Sequence, residues 1–60
     1  MTNEQRQEVF NAGFRAWQIV GNITHAMETK AHDLEIEVTD QELGDIEIDL
    51  AIHIQNLKRD

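Results

Sequence analysis

Apolar residues recur at helical spacing from Val9 to Leu34 with no proline to stop them, and this constrains the fold more than any other feature. At about 100° per residue, Val9, Ala16, Val20, Ile23, Met27, Ala31 and Leu34 share one narrow arc, while Gln7, Asn11, Arg15, Gln18, Asn22, His25 and Thr29 lie opposite. The spacing predicts one amphipathic helix over about 3–32. Gly13 and Gly21 interrupt it only weakly, at about 1 kcal/mol each against alanine. Thr2 or Asn3 supplies the cap, and Glu4 sits favourably at the positive end of the helix dipole.

Phe10, Phe14 and Trp17 follow i, i+4, i+7 and make a second apolar strip beside the first. A chain of 60 residues buries only about 60% of its unfolded surface, and with no cysteine it has neither a disulfide nor a thiolate zinc site to compensate. The expectation is therefore a core shared with a second copy. Phe10, Phe14, Trp17, Val20, Ile23 and Met27 would form the interface of a homodimer, and a hot spot for a specific partner built on Trp17 is the alternative. An apolar content of 40% excludes a disordered tail, and no apolar run approaches the roughly 18 residues that cross a bilayer. Residues 1–60 read as a single small domain. The opening MTNEQRQE lacks a basic segment followed by an apolar one, so a cytoplasmic location is expected, that of the host if a phage encodes the chain.

Two templates compete for the second half. A helix over about 40–58 puts Leu43, Ile46, Leu50, Ile54 and Leu57 on one face and leaves Ile48 and Ile52 on the other. A strand over about 45–55 puts Ile46, Ile48, Leu50, Ile52 and Ile54 on one face, and the alternating run Leu34–Val38 could pair with it. Thr39-Asp40-Gln41-Glu42 matches a capping box and Lys58-Arg59 suit a helix C-terminus, whereas no Asn-Gly or Asp-Gly marks a hairpin. The favoured reading is all-α, a two-helix hairpin assembling as a dimeric helical bundle. The alternative is α+β, one long helix on a two-stranded antiparallel ribbon of about 33–39 and 45–55.

Charge divides the chain unevenly. Residues 1–30 hold three acids and three bases, whereas residues 31–60 hold nine acids and two bases and so carry the whole net charge of −7. Asp33, Glu35, Glu37, Asp40, Glu42, Asp45, Glu47 and Asp49 follow one another without a lysine or arginine between them. Such a surface repels phosphate, which excludes direct nucleic-acid binding. It reads either as a solvated face that keeps a small protein soluble or as a docking face for a basic surface on a larger protein, within which Ile48 and Ile52 would supply an apolar patch.

Little else carries chemistry. There is no serine, no cysteine and no glycine-rich phosphate loop. His25, Glu28 and His32 share a helical face, but three ligands on adjacent turns rarely close a tetrahedron, so they read as a solvated polar face. His53 reads as a boundary residue beside the second apolar stripe. Glu42 and Asp45 project from one face of a helix, and the run Gln41-Glu42-Leu43-Gly44-Asp45-Ile46 resembles the second metal-binding motif, E-x-x-D, of the all-α nucleotide pyrophosphohydrolases related to MazG. That resemblance covers six residues and implies a magnesium role for Glu42 and Asp45 alone. The partner motif of that family, E-E-x-x-E on the preceding helix, is represented here only by Glu28. The sequence thus points to a non-enzymatic, cofactor-free interaction module, an inhibitor or antagonist of the kind phages and mobile elements encode. A magnesium-dependent nucleotide-binding protein and a structural oligomerisation module are the alternatives.

Overall fold

In a computed structural model, which describes residues 1–19 and 21–59, the chain forms three helices: α1 (Asn3–Ile19), α2 (Ile23–Asp33) and α3 (Asp40–Lys58). Among the described residues there is no strand, so the α+β ribbon over 33–39 and 45–55 is replaced by a connection and a continuous α3. The all-α reading holds. The single helix over 3–32 does not, and with it the two-helix hairpin gives way to three helices.

The break at the end of α1 has a local cause. Gly21 takes φ +82°, a conformation that side-chain-bearing residues rarely adopt, and its N–H donates to the Ala16 carbonyl at 2.6 Å. The Asn22 side chain then accepts from the His25 N–H at 3.2 Å and caps α2. Stop and start are thus adjacent, and the cost of interrupting the helix is offset by the hydrogen bonds that close both new ends.

The other two helix starts are closed by reciprocal side-chain bonds. Thr2 and Gln5 bond reciprocally, Thr2 N–H to Gln5 Oε1 at 2.9 Å and Gln5 N–H to Thr2 Oγ1 at 3.1 Å. At α3 the expected capping box forms: Glu42 N–H donates to Thr39 Oγ1 at 3.1 Å and Thr39 N–H donates to Glu42 Oε1 at 3.3 Å. The end of α2 is a Schellman motif, with Glu35 N–H on the His32 carbonyl and Ile36 N–H on the Ala31 carbonyl, both at 3.0 Å. It places Glu35 at φ +57°, where glycine is the usual occupant.

Because the chain turns back at Gly21, the stripe expected along one long helix is folded onto itself. Val9 and Ala16 of α1 and Met27 and Ala31 of α2 are buried, and Leu43, Ile46, Leu50 and Ile54 of α3 complete the core. The three helices meet at Gly13, where an added Cβ would lie 2.9 Å from Met27 Sδ and 3.0 Å from Leu50 Cδ2. α3 spans the α1–α2 hairpin. Its first half reaches α2, with Thr24 Oγ1 donating to Glu47 Oε1 at 2.6 Å, and its second half reaches α1 through His53 and Lys58.

Candidate docking face

α3 buries Leu43, Ile46, Leu50 and Ile54 of the face predicted for it, whereas Leu57, in its last turn, is 51% exposed, and the same rotation turns Ile48 and Ile52 outward. Four residues apart, they lie one turn apart on the helix and are 60% and 54% exposed. Asp45 and Asp49 flank them on one side, and Glu47 lies on the other beyond the small residues Gly44 and Ala51. Nothing lies within 4 Å of where a Gly44 Cβ would be, so this flank is open. The result is a short apolar ridge inside an acidic rim, the composition of a face able to hold a basic amphipathic segment.

The eight acids differ in what they already contact. Glu42 is held in the capping box, Glu47 accepts from Thr24, and Asp49 pairs with the Arg6 guanidinium. An ion pair this exposed contributes at most about 1 kcal/mol and leaves Asp49 available to a stronger partner. Asp33, Glu35, Glu37, Asp40 and Asp45 are exposed, at the end of α2, in the connection and on the early turns of α3. The acidic surface therefore covers one end of the molecule and continues along the outer side of α3.

The residues expected at a dimer interface are placed differently from one another. Phe10, Phe14 and Trp17 are half-buried against the core of their own chain. The His53 ring stands edge-on to Phe10 and Phe14 at 5.7 and 5.2 Å between centroids, Phe14 stacks on Trp17 at 5.9 Å, and Lys58 Nζ lies 5.8 Å from the centre of the Trp17 ring. Met27 is fully buried and Ile23 half-buried. Val20 lies outside the described residues. α3 of the same chain thus covers the strip for which a second copy was invoked.

Of the pair suggested by the pyrophosphohydrolase resemblance, Glu42 has its Oε1 on Thr39 and Asp45 is exposed beside the apolar ridge. His25, Glu28 and His32 are exposed on α2. Among the described residues, no three His, Cys, Asp or Glu side chains come together in a manner that could hold a metal ion. Nor is any helix among the described residues long and apolar enough to cross a membrane.

Glu8, Ala12, Arg15 and Ile19 of α1, with Ala26 and Lys30 of α2, line a groove along the outer side of the hairpin, and Ile19 is 75% exposed at its end. Only the reversal at Gly21 brings Ala26 and Lys30 beside α1, so no pattern along the chain could have announced it. No family model matches the sequence, and neither a curated protein nor a solved structure does.

Proposed function

We propose that the chain is a small acidic interaction module that docks its α3 outer face on a basic surface of a larger protein and so inhibits or antagonises it. The observation that carries this reading is the pair Ile48 and Ile52, exposed side by side within an acidic rim. Exposed branched aliphatic residues on consecutive turns have no role in this chain's own core, and they are too few to hold an uncharged partner alone. Acids around them raise the encounter rate with a cationic surface and disfavour uncharged and acidic competitors. Helix α3 is fixed at its start by a capping box and along its inner face by four buried aliphatic residues, so the outer face is presented on a rigid element.

The test is affinity capture from the native cell at low salt, with the unmodified chain and an Ile48→Ser, Ile52→Ser double variant run side by side and both eluted by a salt gradient. The reading expects a basic protein that is held by the unmodified chain, released by salt and lost by the variant. Retention that ignores salt, or that is equal for the two chains, overturns it.

A further inference from the structure

We infer that the outer groove of the α1–α2 hairpin is the seat of a second copy of this chain, docked about a two-fold axis. Three observations support that occupant.

The groove is self-complementary. It carries both signs of charge on one short stretch of α1, with Glu8 two turns before Arg15 and Ala12 between them. An interface about a two-fold axis must match a patch to itself. Two α1 helices running in opposite directions and crossing at Ala12 bring Glu8 of each copy against Arg15 of the other. That makes two identical ion pairs around an alanine contact that allows the backbones to approach closely.

Charge also selects this face over the others. The whole net charge of −7 arises in residues 31–60, whereas residues 1–30 sum to zero. Two copies meeting through α3 would press acidic rims together. Two copies meeting through the back of the hairpin keep those rims apart and point them away from each other.

The free chain further exposes more surface than its size calls for. Its accessible area is 4532 Å² at 6.9 kDa, about 500 Å² above the roughly 4,000 Å² of a compact monomer of that mass. A dimer contact of ordinary size covers about 800 Å² on each partner, so the excess is of the order that one such contact removes. Ile19, at the end of the groove, is a large apolar side chain left 75% exposed.

The inference is independent of the α3 reading, since the two faces share no residue. It also implies a bivalent particle whose two acidic faces engage a repeated or dimeric partner with an avidity that one copy lacks.

The test is sedimentation equilibrium of the full chain from about 10 µM to 1 mM, with Glu8→Lys, Arg15→Glu, the double exchange of both, and the Ile48→Ser, Ile52→Ser double variant. These side chains are exposed, and helicity by circular dichroism verifies that each variant folds. The expected result is a dimer for the unmodified chain, at least tenfold weaker association for either single reversal, and recovery in the double exchange. A monomer throughout overturns the proposal, as does a dimer indifferent to the single reversals. A dimer dissolved instead by Ile48→Ser and Ile52→Ser places the contact on α3 and also overturns it.

Discussion

Gly13 and Gly44 both lie inside helices, yet alanine is expected to stabilise the chain only at Gly44. In α3, nothing occupies the 4 Å around a Gly44 Cβ, so Gly44→Ala gains the helix-propensity difference of about 1 kcal/mol unopposed. Gly13→Ala gains the same amount in α1 but drives its methyl to 2.9 Å from Met27 Sδ and 3.0 Å from Met27 Cγ and Leu50 Cδ2. Both neighbours are enclosed in the core, Met27 at 0% and Leu50 at 1% exposure, so their side chains must shift within it to admit the methyl. Overpacking of a filled core costs about 1–3 kcal/mol, so the net change at Gly13 runs from about zero to about 2 kcal/mol of destabilisation. The two variants should thus differ by about 1–3 kcal/mol in stability. With a urea m-value near 1 kcal/mol/M for so short a chain, their midpoints separate by about 1–3 M. The assay is urea unfolding followed by helicity and by Trp17 fluorescence, at one low protein concentration so that self-association does not enter. Equal stabilisation by the two substitutions would refute the placement of Gly13 at the junction of three helices.

The remaining predictions concern the turns and can be read by thermal melts. Gly21→Ala forces a side chain into φ +82° and should cost about 1–2 kcal/mol, whereas a continuous helix at this point would gain about 1 kcal/mol from the same change. Asn22→Ala removes the α2 cap and should cost about 1 kcal/mol; an unchanged melting temperature would argue that α2 does not start there. Glu35, at φ +57°, should tolerate glycine with no loss and up to about 1 kcal/mol of gain, while valine there should lower stability by about 1–2 kcal/mol.

These turns also explain what the sequence discloses and what it conceals. α3 is legible because its signals agree: Thr39 and Glu42 bracket its start, a 3.6-residue apolar stripe runs through it, and Lys58 sits in its last turn. The strand template for 45–55 drew on β-branched side chains, a preference that packing readily overrides. The division between α1 and α2 is concealed because Gly21, a left-handed stop joined to a capping asparagine, reads along the chain like a weak interior glycine, and a helical stripe that continues across a tight reversal looks in sequence like one that never stops. The aromatic strip was legible as a second apolar face. What lies over it was not, since that depends on where α3 passes. The exposed Ile48 and Ile52 followed directly from choosing the helical template, which leaves both outside its apolar stripe; Leu57 lies on that stripe but is exposed too, because it sits in the last turn of α3, beyond the four residues that reach the core.

The central claim is that the outer face of α3 recognises cations around an apolar contact. It is tested most directly by titrating the isotopically labelled chain with a synthetic amphipathic helix of lysine and leucine while recording amide chemical shifts, at low and at high salt. The account predicts shifts concentrated on residues 45–52, at least tenfold weaker binding between about 50 and 300 mM salt, and loss of those shifts in the Ile48→Ser, Ile52→Ser variant. Shifts that cluster on the α1–α2 hairpin, or binding that persists undiminished in the variant, would contradict it.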